Sequence, residues 1–421
     1  MHHKREARIT SSVISLGDDA QRMIPVAFSV GLIGLGGAAA LSIFSGSGGL
    51  VRFSYAYLLN FCFFATISLG ALFFVTVQHL TRAGWSVTVR RIAELLAMTI
   101  VPMFLLALPL VIPVLLGWSG LYPWNAADWT ERYSGHVLAS VEKYKGYYLD
   151  NAFFSVRTLV YFAIWSGMAW FFYRNSLRQD QTGDPGLTLK MQKYAAPLMI
   201  VFAGTLVFAS FDWEMSLEPM WFSTMFPVYF FAGCVLGGVA TMLLIGLLLQ
   251  RSGRVTDEIT TDNFQDLGKL IFAFIVFWGY VAFSQFMLIW YANIPEETFY
   301  FGYRFDNAGY RWLSVVLLFG HIFIPFLLLM PRTLKRDRRF MLGAALYMLA
   351  MHWLDHFWIV MPQYGFDGKH VAQFPFPLVE LVCLVGFSGL FVGFFCLIAA
   401  DRPLVPLKDP RLGEALNYTN L

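Results

Sequence analysis

The sequence predicts an all-α polytopic membrane protein with ten transmembrane helices and both chain ends in the cytoplasm. Three observations predict it. The first is apolarity: of 421 residues, 57% are hydrophobic and 14% charged, with a mean hydropathy of +0.59, whereas soluble domains carry about 25% charged residues. The second is length. Ten apolar runs of roughly 20 residues, enough to cross a bilayer, fall near 24–45, 54–79, 91–117, 152–174, 195–216, 221–250, 267–293, 309–331, 340–361 and 376–400. The third is charge asymmetry. With both ends inside, all but eight of the 30 Lys and Arg flank cytoplasmic ends; the outer ones are Arg52, Arg132, Lys143, Lys145, Arg157, Arg304, Arg311 and Lys369. Basic residues gather on the cytoplasmic side, and long loops such as 118–151 follow this rule less strictly. The chain thus divides into a cytoplasmic segment 1–23, a membrane domain 24–401 with an outer loop 118–151, and a cytoplasmic tail 402–421. The net charge of +3 reflects the same bias and implies no nucleic-acid partner.

Along the chain, the polar start Met1-HHKREAR lacks a cleavage-site pattern, so no cleaved secretory signal is expected. Span one carries Gly31-LIGLG-Gly37. Without a strand–helix context this is a close-packing stripe rather than a nucleotide loop. Span three holds Pro102, Pro109 and Pro113, which either border a cavity or simply shape the bundle. The 118–151 loop is rich in Trp and Tyr, which suits either an interfacial belt or a docking surface for an external subunit. Between spans five and six lie Asp212, Glu214 and Glu218. Glu214 and Glu218 read as a solvated rim, whereas Asp212, directly after an apolar run, is expected to be partly buried. The tail, with three prolines, reads as a surface segment lying against something else.

The chemistry-bearing pattern is Phe340-MLGAALYMLAMHWLDHFWIV-Met361. His352, Asp355 and His356, at i, i+3 and i+4, share one helix face. Ionisable groups at membrane depth are costly and mark proton, ion or substrate routes. His321 is near the middle of span eight, Asp212 and Glu380 near outer ends, and Glu94 and His79 near inner ends. Together these eight residues sketch a proton route, because His titrates near neutrality and burial can raise a carboxylate. The competing reading is that Asp355 and His356 lock two helices as a static pair. Haem b between His321 and His352 is disfavoured by the bulky Trp353, Phe357 and Trp358 beside His352, and a His352–His356 zinc site lacks a third histidine. Cys62, Cys234, Cys383 and Cys396 all lie in spans without C-x-x-C spacing, which leaves no Fe–S or c-haem motif and no cofactor expected in this chain.

Four stretches carry a family resemblance: Gln78-HLTRAGWSVTVRRIAE-Leu95, Phe211-DWEMSLEPMWFSTMFPVYFFA-Gly233, Asp266-LGKLIFAFIVFWGYVAFSQFMLIWYANIPE-Glu297 and His352-WLDHFWIVM-Pro362. They resemble the polysulfide-reductase/NrfD type of integral membrane subunit, and more closely the second NrfD-like subunit (ActF type) of bacterial alternative complex III, a quinol:cytochrome c oxidoreductase. The resemblance implies two four-helix bundles followed by two further helices, in a multi-pass protein of the bacterial inner membrane. It implies a sister NrfD-like subunit, Fe–S and multihaem cytochrome c subunits carrying the redox centres, surrounding lipid, a terminal oxidase as a further partner, and menaquinol as a ligand of the complex. A departure is Met220, where the resemblance leads one to expect a histidine, so an outer-face role resting on that histidine is not carried over.

The leading expectation is therefore a membrane subunit without redox cofactors that supports assembly and translocates protons. The alternative is that the chain itself binds quinol near its outer side, with Asp212, Asp355, His356 and Glu380 lining the pocket. An independent transporter is a third class, against which the sequence shows no internal repeat or paired broken helices.

Overall fold

The computed structural model describes residues 14–44, 49–118, 120–125, 146–366 and 374–420. The basic residues before position 14, most of the 118–151 loop with Arg132, Lys143 and Lys145, and Lys369 lie outside the described residues.

Eleven helices carry the fold: α1 Gly17–Phe44, α2 Leu50–Leu80, α3 Val87–Leu115, α4 Asn151–Thr182, α5 Pro185–Trp213, α6 Phe226–Arg251, α7 Thr261–Ala292, α8 Pro295–Asp306, α9 Ala308–Leu329, α10 Arg338–Val360 and α11 Leu378–Ala399. No strand occurs among the described residues. Nine of these helices, all but α8 and α10, are long and apolar enough to cross a membrane, and the chain is a multi-pass membrane protein. The segment expected as the ninth of ten spans is α10. At 23 residues it is long enough, but His352, Asp355 and His356 with Arg338 and Arg339 lower its apolarity.

Local chemistry sets the helix ends. Asp150 caps α4 through Phe153 N, and Gly183 closes it at φ 69°, a left-handed position suited to glycine. Asp184 caps α5, with Pro185 in its first turn. Thr260 and Asn263 form a reciprocal capping box at α7. Asp337 caps α10 and accepts from Arg339 N and Phe340 N, bonds that hold its carboxyl below the usual range. Pro102 lies just beyond a break in α3 at Thr99, between Val87–Met98 and Ile100–Leu115, as expected where proline removes a backbone donor. In α9 the helix widens into one π-helical turn, Leu318–Phe323, immediately before Pro325. His321 sits in that turn.

Two inner helices organise the packing. In α2, 94% of the membrane-length window is buried, and in α6, 83%, against 28–50% for the others that meet the apolarity criterion. They cross where a Cβ on Gly70 would lie 1.8 Å from Cys234 O, and one on Gly238 2.7 Å from Gly70 C. Only glycine permits that approach. Helices α2–α5 form one bundle and α6, α7, α9 and α10 the other, and α2 also packs on α6 and α10. The two helices outside the bundles are the first and the last, rather than two at the end of the chain. Helix α1 packs along α11, with Gly34 against Gly386 and Gly31 against Gly389. The Gly31–Gly37 stripe is thus a packing surface.

Gly17 N donates to Ala400 O at 2.9 Å and Leu404 N to Ile14 O at 2.7 Å, so α1 begins and α11 ends on the same face. That face is basic. Residues 402–420 run across it: Arg91 reaches Pro403 O at 3.3 Å, Leu407 N bonds Asp180 at 2.7 Å, and Lys269 bonds Asn420 at 2.9 Å. The tail lies against its own chain and straps the two bundles together.

Candidate functional site

A gathering of buried polar groups lies where α10 meets α2 and α6. His352, His356 and Asp355 are each at most 2% exposed. His352 Nε2 is 2.9 Å from Thr66 Oγ1 on α2, and His356 Nε2 is 3.5 Å from the same oxygen. On its other side, His356 Nδ1 contacts Glu214 Oε1 at 2.6 Å. A chain His352–Thr66–His356–Glu214 therefore runs through the interior, built from both bundles. Asp355 turns the other way. It accepts from the Tyr229 hydroxyl and from Trp278 Nε1, the latter at 3.2 Å. The His321 ring stacks on Trp278 at 3.9 Å, and neither of its nitrogens has a hydrogen-bond partner among the described residues.

Glu214 and Glu218 are not a rim: both are 2% exposed. Glu214 caps the end of α5, and one 3₁₀ turn, Met215–Leu217, carries the chain on to Glu218. Glu218 accepts from Gln363 Nε2 at 2.7 Å, and the same nitrogen donates to Tyr303 OH at 2.9 Å. Beside them the buried Arg304 donates to Trp358 O and Ile359 O at 3.3 and 3.2 Å, and lies 3.7 Å over the Tyr300 ring. A cation on the last carbonyls of a helix suits its dipole, so Arg304 fixes the end of α10 that carries the cluster.

The other predicted residues lie elsewhere. Asp212, fully buried, takes a bidentate grip from Arg157 at 2.9 and 2.8 Å and a bond from Tyr161 OH at 2.7 Å, joining α4 to α5. Glu380 pairs with Arg52 at 3.1 Å, joining α11 to α2. On the basic face Glu94 is held by Arg91 at 2.8 Å and Arg90 at 3.5 Å. Arg91 also pairs with Asp180 at 2.7 Å, and Arg90 pairs with Asp409. His79 stacks on Phe172 at 5.3 Å. Along α2 thirteen residues, about 20 Å of helix, separate His79 from Thr66, and a Ser68–Thr99 hydroxyl pair at 2.7 Å lies part-way.

The structure thus brings together His352, Asp355, His356 and His321, and adds Thr66 and Glu214. Asp212, Glu380, Glu94 and His79 belong to separate clusters. Among the described residues no three His, Cys, Asp or Glu side chains gather as metal ligands.

A cavity of about 390 Å³ adjoins the cluster, lined by aromatic side chains of α6, α7, α8 and α10 and by Arg311, Ser314 and aliphatic side chains of α9. Tyr229 and Trp278, the donors to Asp355, form part of its wall, and Gln285 lines it with Oε1 buried and without a partner among the described residues. At its edge Phe283 and Leu318 are exposed, at 56% and 42%. None of Asp212, Asp355, His356 and Glu380 lines it.

The profile of the family described as Polysulphide reductase, NrfD matches residues 152–366, just over half of the chain. This chain belongs to the NrfD family. No curated protein matches it. The matched stretch of this NrfD protein runs from α4 to the end of α10, and so holds Glu214, His321, His352, Asp355 and His356. Thr66, on α2, lies outside it.

Sequence reasoning missed Thr66 and misread Glu214. Thr66 sits in an otherwise apolar run without a pattern of its own. No feature of the sequence around Glu214 marks it as buried.

Proposed function

We propose that this NrfD protein is a membrane subunit of a respiratory quinol:electron-acceptor oxidoreductase of the alternative complex III kind, in a bacterial inner membrane. It carries no redox centre, assembles with a sister NrfD-like subunit and with Fe–S and cytochrome c subunits, and moves protons. The observation that supports this reading is the chain His352–Thr66–His356–Glu214. It places titratable groups in hydrogen-bond sequence across the seam between the bundles, where a static lock would need only one pair. Helices α2, α5 and α10 supply its residues, and the basic face, read as cytoplasmic, lies at the end of α2 beyond His79, about 20 Å from Thr66. The test is reconstitution of the complex in proteoliposomes. Asp355→Asn and His352→Phe are expected to lower the number of protons moved per electron while partner subunits still co-purify. An unchanged ratio in both variants contradicts the reading.

A second reading is favoured by the aromatic cavity: this chain binds quinol there, with Gln285 Oε1 accepting from a ring hydroxyl and Asp355 drawing the proton through Tyr229. Gln285→Leu would then raise KM for quinol, and a quinone photoprobe would label α7 or α9. Normal KM and no labelling remove this reading.

A further inference from the structure

We propose that the Thr66 hydroxyl carries the proton between His352 and His356, and that Gly233 and Gly237 keep open the slot in which the His352 ring turns between transfers. The inference rests on the proton-transfer reading above.

The hydrogen-bond arithmetic gives the row a direction. Thr66 has one hydroxyl hydrogen, and it lies on Phe63 O at 2.8 Å. Its oxygen therefore accepts from His352 Nε2 at 2.9 Å, which puts the imidazole hydrogen on Nε2 and leaves Nδ1 a bare acceptor. That Nδ1 is buried and has no partner among the described residues. At the other end the Glu214 carboxylate, 2.6 Å from His356 Nδ1, draws the hydrogen of His356 to Nδ1. His356 Nε2 is then a lone pair 3.5 Å from Thr66 Oγ1. Thr66 is fully buried, so water does not compete for it from outside.

The transfer balances. A proton arrives on His352 Nδ1, and the hydrogen on Nε2 passes to Thr66 Oγ1. The original hydroxyl hydrogen of Thr66 leaves Phe63 O for His356 Nε2, and the hydrogen on His356 Nδ1 passes to Glu214 Oε1. One proton has entered and one has reached Glu214, with no heavy-atom bond changed. Both rings now hold the opposite tautomer, and the row conducts again only after they reset.

Here the glycines enter. A Cβ on Gly237 would lie 2.9 Å from His352 Cδ2 and 3.1 Å from Nε2; one on Gly233 would lie 2.9 Å from Cε1 and 3.4 Å from Nδ1. These residues stand one turn apart on α6 and face opposite edges of the ring. Any side chain at either position would wedge the imidazole in one pose.

The test uses the whole complex in proteoliposomes, with assembly read by co-purification of its partners. Thr66→Val removes the hydroxyl at nearly constant shape, and Thr66→Ser keeps it. Valine is expected to slow proton transfer about a hundredfold or more, and serine to stay within about twofold of the parent. If the valine variant does not assemble, Thr66→Ala repeats the loss of the hydroxyl. Parent-like proton transfer in the hydroxyl-less variant, or serine as impaired as valine, overturns the inference. If His352→Phe is impaired while Thr66→Val is not, the shuttle fails alone. If neither is impaired, the proton-transfer reading fails with it.

Discussion

The two buried acids Glu94 and Glu214 sit near opposite faces of one bundle and are held in opposite ways. Glu94 lies between two guanidinium groups, one of which also serves Asp180 and the other Asp409. Glu214 meets one imidazole and no Arg or Lys in the ion pairs of the described residues. An arginine does not give up its proton, so the cations of the Glu94 cluster are permanent and it works as a clamp across α3, α4 and the tail. An imidazole beside a carboxylate exchanges protons readily, so the Glu214 cluster retains the means to move one. Burial of charge alone therefore does not mark a route. The partner decides whether the group locks or relays.

The largest effect is expected at the clamp. Arg91→Met leaves Glu94 and Asp180 short of their main cation in a fully buried site. Removing one partner of a buried pair costs about 3–5 kcal/mol, expected here as a lower thermal midpoint of the purified complex. A midpoint within a degree of the parent would mean the cluster is not a clamp.

A middle-sized effect is expected at the relay. Gly237→Ala drives a methyl into the His352 ring, costing about 1–3 kcal/mol of packing strain. Proton transfer should suffer more than stability does. The reverse order would mean that the slot serves packing alone.

The smallest effect belongs to the exposed Arg411–Glu414 pair at 2.7 Å. Arg411→Ala is expected to change stability by less than about 1 kcal/mol, measured in the same melt, and to leave turnover unchanged. A larger loss would show that the strap across the basic face depends on its surface charges.

Much of the fold was legible in the sequence, because hydropathy marks a helix that must satisfy its backbone in lipid. The positions of the spans follow from that. Which helices lie inside does not. In α2, apolar residues surround the helix on every side, and Asn60 and Thr66 look like scattered tolerances until α10 and α11 are placed against them. The pairing of α1 with α11 was hidden for a related reason: glycines announce a close approach without naming the partner. The face shared by His352, Asp355 and His356 was readable from spacing, yet Asp355 and His356 bond to different partners there. Asp212 and Glu214 show the limit most clearly. They are two residues apart, and Asp212 faces Arg157 on α4 while Glu214 faces His356 on α10. Two residues at the end of a helix point about 200° apart, so the last turn of α5 sends them to different neighbours, which no hydropathy profile records.

The most direct test of relay against clamp is the number of protons moved per electron by proteoliposomes carrying Glu214→Gln, an isosteric change that keeps a hydrogen-bond acceptor for His356 and removes the proton sink. The account predicts an assembled complex of near-normal melting midpoint with a lowered ratio. An unchanged ratio in that variant would contradict it.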